Sequence, residues 1–390
     1  MTYNFDEQIE RRGTGCVKWD ESPEGVIPLW VADMDFAVAQ PIQEAIRHRA
    51  LHPIFGYTYV QDDYYEAVIS WFRRRHQWDI KREWILYTIG VVPAMSVAIK
   101  ALTMPGEKVL ILSPDYNCFF SSVKNNGCEV LESVLLPPAT TPDGSPSGFT
   151  IDWSSFETLC ADEKTTVFLL CNPHNPTGRV WTREELQHMA DICHKHHVRI
   201  VSDEIHCELI MPGYTFCPMG TVDPDAIILN SPSKSFNIAG LMMANIICQD
   251  AETRRRLDRA ININEVCDVN PFAPEAVKAA YNESEDWLDA LNVYIHDNYK
   301  ALCDFVAAHL PLWRVMPLEG TYLAWVNVSN VCCDSVATYC DRILREARVW
   351  LNPGTMYGPQ SGEGYLRINL ACPRSRLMEA LERIKNIIKQ

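Results

Sequence analysis

The 390-residue sequence predicts an α/β protein, with a three-layer α/β/α large domain built on a mainly parallel sheet and a smaller α+β domain. Short apolar runs rich in β-branched residues alternate with stretches of helical periodicity, and these runs end in polar residues. Such runs are typical of strands that are buried on both faces of a parallel sheet. The chain is also too long for one small core, so we expect two domains.

The N-terminal part predicts one extended stretch and two helices. Residues 26–32 have an extended, apolar pattern, and the acidic residues Asp33 and Asp35 follow them. A helix is expected to begin near Pro41, because proline suits the first helical turn. Apolar side chains at helical spacing predict a second helix over 64–76.

The alternation of strands and helices begins after residue 80. Helices are predicted over 94–102 and 117–125, and strands over 84–88, 108–112, 128–131, 166–171, 198–202 and 226–230. Three of these strands are followed directly by a polar residue: Asn172, Asp203 and Ser231. Ligands of open α/β sheets bind outside the carboxyl ends of the strands, so these residues are expected at the ligand site.

The C-terminal part predicts a second unit. Its pattern indicates a helix over 287–310, a strand over 320–327 and a final helix over 373–389. We therefore expect three regions along the chain: an N-terminal segment (1–50) that joins the small domain, the large domain (51–286) and the small domain (287–390).

Composition and charge exclude several classes of protein. The formal net charge of -15 argues against nucleic acid as a partner, because phosphate binding relies on a basic surface. No apolar run approaches the ~20 residues needed to cross a bilayer. The fifteen cysteines are irregularly spaced, and no basic region followed by an apolar core opens the chain, so we expect free thiols and a cytoplasmic location.

Residues 194–197 (His-Lys-His-His) are a possible metal site. They lie near the end of a helix predicted to start at Thr182, where cationic side chains suit the negative end of the helix dipole. The chain has no C-x-x-C pair, so a zinc ribbon is not supported. We therefore expect no bound metal.

The segment Ser231–Asn237 (Ser-Pro-Ser-Lys-Ser-Phe-Asn) is the most informative part of the chain. It places Lys234 among small hydroxyl residues and just before the apolar run 238–244. Partial removal from water favours the neutral amine of a lysine, which makes the amine a nucleophile toward an aldehyde. Two further motifs lie upstream, Asn-Pro-His-Asn-Pro-Thr-Gly over 172–178 and Val-Ser-Asp-Glu-Ile-His over 201–206.

Together these three motifs resemble those of pyridoxal-phosphate enzymes of the aspartate-aminotransferase fold. The resemblance implies that residues 51–286 bind pyridoxal 5'-phosphate, with Lys234 as the Schiff-base lysine. It also implies that Asp203 keeps the pyridine nitrogen protonated, and the separation of 31 residues (234 − 203) matches the family. The alternative for Asp203 is a helix cap within Ser202-Asp203-Glu204.

A phosphate site is predicted where the strand over 84–88 gives way to a helix. Gly90, Val91 and Val92 would offer free amide donors at the helix N-terminus, and Ser231 and Ser233 would add hydroxyl donors. An ordinary strand-to-helix turn is the alternative, because many such turns contain glycine.

The resemblance implies roles for four more residues. Tyr116 would stack on the pyridine ring, and Asn175 would contact the ring oxygen. Tyr57 would reach the phosphate of a neighbouring subunit, which requires a homodimer with shared active sites. Arg367 would bind the substrate carboxylate through a bidentate pair. Core packing remains the alternative for Tyr116, and a surface position on a strand remains the alternative for Arg367.

Departures from the aminotransferase pattern indicate one branch of the family. Met242 stands eight residues after the lysine, where an arginine is usual, and His206 stands where a tyrosine usually donates to the ring oxygen. With residues 15–20 and 29–36, these features resemble the MalY/PatB-type carbon–sulfur lyases. That resemblance implies cystathionine β-lyase or cysteine-S-conjugate β-lyase activity.

The activity implied is elimination of a thiol from a sulfur amino acid. Lys234, Asp203 and Tyr116 would be the catalytic residues, with Lys234 as the general base that removes the α-proton. The products would be pyruvate, ammonia and a thiol. Two alternatives stay open: an aminotransferase, and a cofactor-bearing regulatory binding protein. No second fixed cation is evident to match a dicarboxylate, so the sequence leaves the substrate's distal half open.

Overall fold

A computed structural model describes residues 3–139, 147–332 and 334–388 of the chain. The helices of these ranges are α1 (Val17–Asp20), α2 (Gln40–Leu51), α3 (Asp62–His76), α4 (Val91–Leu102), α5 (Asn117–Asn125), α6 (Trp153–Cys160), α7 (Arg183–Lys195), α8 (Ala251–Ile263), α9 (Ala273–Glu283), α10 (Glu285–His309), α11 (Val336–Arg342) and α12 (Arg374–Ile388). The strands are β1 (Ile27–Pro28), β2 (Ile85–Thr88), β3 (Lys108–Ser113), β4 (Glu129–Val134), β5 (Thr165–Cys171), β6 (Arg199–Asp203), β7 (Ile227–Asn230), β8 (Ala244–Ile247), β9 (Arg314–Val315), β10 (Leu323–Asn327), β11 (Val349–Trp350), β12 (Asn352–Pro353) and β13 (Tyr365–Asn369).

The large sheet has seven strands in the order β2-β8-β7-β6-β5-β3-β4. The pairs from β7 through β6, β5 and β3 to β4 are parallel, whereas β8 runs antiparallel to both of its neighbours. The predicted mainly parallel sheet is therefore confirmed. Each of the six strands predicted between residues 84 and 230 is present, with ends that differ by a few residues.

Helices cover both faces of this sheet, which gives the predicted three layers. Alternate side chains of β5 point to opposite sides, because successive residues of a strand face opposite ways. Phe168 and Leu170 belong to a core that includes α6 and α7, whereas Val167 and Leu169 belong to a core that includes α4 and α8. The side chains of β5 are buried on both faces, as the apolar run over 166–171 predicts.

The smaller unit is built on an antiparallel sheet in the order β12-β13-β10-β9, packed with α10, α11 and α12. The final helix α12 is observed to Ile388, and residue 389 lies outside the described residues. The extended stretch expected over 26–32 forms a strand only at β1, which pairs in parallel with β11 of the C-terminal part. The beginning of the chain is thereby joined to its end. No helix in the described ranges is long and apolar enough to span a membrane.

A buried ion-pair cluster anchors the segment that follows β1. The Asp35 side chain is fully buried, and its carboxylate pairs with Lys18 (3.3 Å), Arg11 (2.7 Å) and Arg376 (3.1 Å). Trp19 Nε1 also donates to Asp35 Oδ1 at 2.9 Å. Burial alone would raise the pKa of Asp35, but Lys18, Trp19, Arg376 and Arg11 hold it below its ordinary value.

We expect Asp35→Ala to lower the free energy of unfolding by about 3–5 kcal/mol, because it leaves the buried Lys18 without its closest anion. Urea denaturation at neutral pH measures the loss. The pKa of Asp35 is lower in the folded than in the unfolded chain, so this contribution is complete above about pH 4, the ordinary aspartate value. It should disappear as the pH falls through the lower, folded value.

Asp79→Ala is the matched control, because Asp79 pairs with Arg73 on the surface, where both side chains are largely exposed. Exposed pairs contribute little, so a change of less than about 0.5 kcal/mol is expected. Equal losses for the two variants would contradict the proposed anchoring by Asp35.

Candidate active site

A cavity of about 210 Å³ opens at the carboxyl ends of the parallel strands. The loops that follow β2, β3, β5, β6 and β7 meet there, as expected for an open α/β sheet. Its wall includes most of the residues predicted from the sequence: Gly90, Val91, Val92, Tyr116, Asn175, Asp203, His206, Ser233 and Lys234.

Lys234 lies in the loop that follows β7, and its amine reaches Ala32, another residue of the cavity wall. Lys234 Nζ donates to the carbonyl oxygen of Ala32 at 2.7 Å. Burial lowers the pKa of Lys234 below the ordinary lysine value, while Asp33 and Asp203 oppose that shift. The direction of this shift is toward the neutral amine that nucleophilic attack requires.

Asp203 is the last residue of β6 and is 5% exposed. Burial raises the pKa of Asp203 to about 7, although the backbone amide of Ile205 and the charge of Lys234 lower it. Ile205 N donates to Asp203 Oδ1 at 3.1 Å. The residues that follow form turns rather than a helix, so the helix-cap alternative is wrong. A buried carboxyl of this kind fits a ligand that brings a positive charge.

Helix α4 begins at the cavity, with Gly90 as its N-cap and no side chain capping its first turn. The first amides of a helix have no partner within the helix, so those of Val91 and Val92 are available to an anion. Ser233 also lines the cavity. Ser231 does not: its buried hydroxyl donates to the Met243 carbonyl at 2.7 Å and accepts from Ser233 N at 3.1 Å.

Tyr116 and His206 are aromatic residues of the cavity wall. Tyr116 is the N-cap of α5, and burial raises the pKa of its phenol. Burial lowers the pKa of His206 to about 3, so its ring is neutral at physiological pH. His206 Nδ1 is buried and finds no hydrogen-bond partner among the described residues. Buried polar atoms are normally satisfied, so this nitrogen is available to a ligand.

Arg367 lies in the middle of β13, opposite Trp325 of β10, and is 3% exposed. Its Nη1 donates to Asn175 Oδ1 at 3.1 Å, and its Nη2 donates to the Trp30 carbonyl at 2.9 Å. The guanidinium also lies 4.7 Å from the ring centre of Tyr357. The alternative of a surface arginine is wrong. No carboxylate of the described residues pairs with Arg367, and its Nε has no partner there, so an anionic ligand suits it.

Tyr57 is not brought to the cavity of its own chain. Its side chain is fully exposed and lies among other exposed apolar residues, namely Leu51, Ile54, Phe55 and Tyr59. Met242 does line the cavity, although half of its surface is exposed and its backbone has a φ of 55°. The position that usually holds a phosphate-binding arginine therefore carries no charge.

Among the residues at the site that sequence reasoning missed, Ala32 and Tyr322 make the contacts that matter most for Lys234. Ala32 lines the cavity through its backbone, and the hydroxyl of Tyr322 donates to the Ala32 carbonyl at 3.0 Å. Both lie within segments singled out above, residues 29–36 and 320–327, but the sequence gives no sign that a backbone carbonyl takes part.

Two groups of side chains in the described ranges have the spacing of metal ligands: His76, Cys207 and Glu208, and His194, Asp223 and Asp225. The second group includes part of the histidine cluster at 194–197, and His194 Nε2 lies 3.1 Å from Asp223 Oδ2. In the first group, His76 Nε2 lies 2.7 Å from Glu208 Oε1. Neither group lies on the wall of the cavity.

Comparisons with known proteins agree with this geometry. The family model of aminotransferase class I and II matches residues 24–384. Cystathionine beta-lyase PatB of Bacillus subtilis is 39% identical over 391 residues, which cover 98% of this chain and 99% of PatB. The crystal structure of cystalysin from Treponema denticola, which contains pyridoxal 5'-phosphate, superposes with a TM-score of 0.94 at 34% identity, covering 100% of this chain and 99% of cystalysin. The C–S lyase of Staphylococcus hominis, also bound to pyridoxal phosphate, gives 0.91 at 33% identity with the same coverage.

Proposed function

We propose that this chain, which belongs to the aminotransferase class I and II family, is a pyridoxal-phosphate-dependent carbon–sulfur β-lyase acting on cystathionine or other cysteine S-conjugates. One observation carries the proposal: a lysine amine and a buried carboxyl line the same small cavity, and a buried arginine with no carboxylate partner among the described residues donates to Asn175 of its wall. Relatives over the full length of the chain are named cystathionine β-lyase and C–S lyase, which favours elimination over transamination.

The residues of the cavity fit the cofactor. Lys234 would bind the aldehyde and Asp203 the ring nitrogen, which its carboxylate can keep protonated. The amides of Val91 and Val92 would hold the phosphate, with Ser233 as a hydroxyl donor. Tyr116 would cover one face of the ring. When bound, the group supplies an electron sink for a negative charge at the substrate α-carbon.

Arg367 would bind and orient the substrate. Its guanidinium is fixed by Asn175 and Trp30, so a carboxylate that pairs with it has one defined position. The Oδ1 of Asn175 accepts a hydrogen bond from Arg367, so the Nδ2 of Asn175 would donate to the ring oxygen of the cofactor. His206, neutral and with Nδ1 unpartnered among the described residues, would serve as a second polar contact at the ring.

Lys234 would then act as the base. When its amine is free, Lys234 would remove the substrate α-proton, and the β-carbon–sulfur bond would break as the thiolate leaves. The remaining three carbons would leave as aminoacrylate, which takes up one water to give pyruvate and ammonia. Besides Lys234, the cavity wall carries no lysine or arginine among the described residues, so no second cation would select a distal carboxylate.

The decisive experiment incubates the purified protein with cystathionine, cystine and a small S-alkyl cysteine, and measures pyruvate without any added keto acid. A lyase releases pyruvate and ammonia in equal amounts under these conditions. An aminotransferase requires an added keto acid, converts each substrate into its own keto acid with the carbon–sulfur bond intact, and releases no ammonia. Substrate consumption that depends on an added keto acid and yields neither pyruvate nor ammonia would overturn the proposal.

We also propose that the protein is a homodimer with active sites shared between subunits. The exposed apolar group around Tyr57 supports this, because contiguous exposed apolar surface is typical of interaction sites. Tyr57 would complete the phosphate site of the second chain, where Met242 supplies no charge. The pairing of β1 with β11 supports the division proposed from the sequence, in which residues 1–50 join the small domain (287–390) beside the large domain (51–286).

A cytoplasmic location is proposed from the cysteines. Those among the described residues are free thiols, and many of them are buried. Free thiols in this number suit a reducing compartment.

We expect Lys234→Ala to abolish pyruvate formation and the covalent link between protein and cofactor, because no other amine lines the cavity among the described residues. Borohydride reduction of the holoenzyme followed by peptide mass spectrometry locates the link. Lys195→Ala, at an exposed lysine on α7, should keep both properties. Normal turnover of the Lys234 variant would show that the base is another residue.

Asp203→Ala should still take up the cofactor but should slow elimination at least ~10³-fold, about 4 kcal/mol in barrier, because the unprotonated ring is a poor electron sink. Stopped-flow measurement of pyruvate release at saturating substrate gives the rate. Asp203→Glu keeps the carboxylate and should recover part of the lost elimination rate. A rate within tenfold of wild type for Asp203→Ala would exclude the assigned role.

Mixing two inactive variants tests the shared site. Tyr57→Phe is expected to weaken cofactor retention, and Lys234→Ala to remove the base. After the two variants are refolded together, a mixed dimer holds one site with both changes and one with neither. Random pairing makes half of the dimers mixed, so roughly a quarter of wild-type activity should return. A fully active monomer in sedimentation at assay concentration would contradict the model.

A further inference from the structure

A strained turn lies between Glu319 and β10. Thr321 has a φ of +70°, a left-handed conformation that β-branched residues rarely adopt because it is strained. The turn is also tightly packed, because a Cβ at Gly320 would lie 2.9 Å from Val180 Cγ2 and 3.0 Å from Pro173 Cβ. Thr321 N donates to the Leu209 carbonyl at 2.7 Å, which fixes the turn. A strained backbone of this kind is kept only where the surrounding contacts hold it in place, as they do at this turn.

The residue that this turn directs inward is Tyr322. Its side chain is completely buried, and its ring packs edge-on against His206 with 5.9 Å between ring centres. Its hydroxyl donates to the carbonyl oxygen of Ala32 at 3.0 Å. The same oxygen accepts from Lys234 Nζ at 2.7 Å. One backbone carbonyl therefore receives both the lysine amine and the tyrosine hydroxyl.

The backbone on either side of Ala32 is also held by hydrogen bonds from side chains. Arg367 Nη2 donates to the Trp30 carbonyl, and Asn369 Nδ2 donates to the carbonyls of Val31 (2.6 Å) and Asp33 (2.7 Å). Four successive carbonyls thus accept hydrogen bonds from fixed side chains. Ala32 differs from the others because one of its two donors is the amine that has to react.

We propose that Tyr322 is a positioning residue for Lys234, holding the Ala32 carbonyl that receives the lysine amine whenever that amine is free. The inference rests on the proposed function, in which the amine is freed once per turnover. A neutral amine that donates one N–H to Ala32 keeps its lone pair available for the α-proton. The tyrosine hydroxyl also draws electron density from the carbonyl oxygen, which makes that oxygen a weaker acceptor for a charged ammonium.

Loss of the hydroxyl should therefore have two effects: a less ordered amine and a lysine that protonates more readily. The charged and titratable groups that act on Lys234 are Asp33, Arg367, Asp203, Cys118 and His206, and those that act on or pack against Tyr322 are Asp33, Arg367, Tyr116 and His206. All of them remain in a Tyr322→Phe variant. A change in the titration of Lys234 would then report the lost hydroxyl.

The first test measures Lys234 directly in full-length protein freed of cofactor. Pulse labelling with acetic anhydride across a pH series, read by peptide mass spectrometry, gives the midpoint at which Lys234 becomes reactive. In Tyr322→Phe the midpoint should move upward by roughly 0.5–1 pH unit, the size expected for one hydrogen bond. The control is Tyr339→Phe, which removes a buried hydroxyl bonded to Trp313 and should leave the midpoint unchanged.

The second test uses the holoenzyme with a small S-alkyl cysteine. Tyr322→Phe should lower kcat about tenfold with KM within twofold, move the acid limb of the kcat profile to higher pH, and increase the isotope effect for α-deuterated substrate. Thr321→Gly, which relaxes the turn, should shift the labelling midpoint in the same direction by less. Unchanged midpoints in both variants, or an equal shift in Tyr339→Phe, would overturn the inference even if the wild type is an active lyase. A wild type without lyase activity would refute the proposed function and leave the labelling comparison valid.

Discussion

Lys234 and the buried Asp203 line one cavity, and the buried Arg367 donates to Asn175 of its wall; among the described residues no ion pair joins any two of the three. Buried charges without partners are costly, so a site of this kind is stable only if its charges are shifted toward neutrality or met by ligands. The lowered pKa of Lys234 and the raised pKa of Asp203 show the first response. In the proposed function, a cofactor with a protonated ring nitrogen would provide the second at Asp203, and a substrate carboxylate would provide it at Arg367.

The N-terminal segment makes this arrangement possible, although it carries no catalytic side chain. Its residue Ala32 lines the cavity and accepts from Lys234, and Asn237 fixes the next stretch by bonding to the backbone of Met34 and Phe36. The ion-pair cluster around Asp35 anchors that stretch from behind. The segment is thereby joined both to the loop that carries Lys234 and Asn237 and to the C-terminal sheet. The position of the lysine amine therefore depends on residues far away in the chain.

The parts of the fold that follow from local patterns could be predicted from the sequence. Apolar runs such as 166–171 identified the strands, and polar residues after them identified the ligand edge, because both signals lie within a few residues. Strand β8 was not predicted, because its first residue belongs to the continuous apolar run over 238–244. The turn that separates β8 from this run is marked only by the left-handed backbone of Met242, which the sequence does not reveal. The hydroxyl of Ser231 donates to the Met243 carbonyl and does not reach the cavity. The side-chain rotamer decides this, and the sequence does not predict the rotamer. The contact of Tyr322 with Ala32 spans 290 residues and uses a carbonyl that every residue has.

The groups that would surround the cofactor ring and its phosphate are largely uncharged. With Met242 in place of an arginine and His206 uncharged, the phosphate and the ring oxygen would both be met by dipoles, namely the amides of α4, hydroxyl groups and an imidazole. The positive charge within the site is then concentrated in Arg367 and in whatever proton Lys234 carries. In the proposed function Arg367 would stay paired with the substrate carboxylate, so Lys234 would be the one of these two cations that changes its charge during turnover. For that reason the groups that set the protonation of Lys234, among them the Ala32 carbonyl and the hydroxyl bonded to it, have more influence on the rate than their distance from the substrate would suggest.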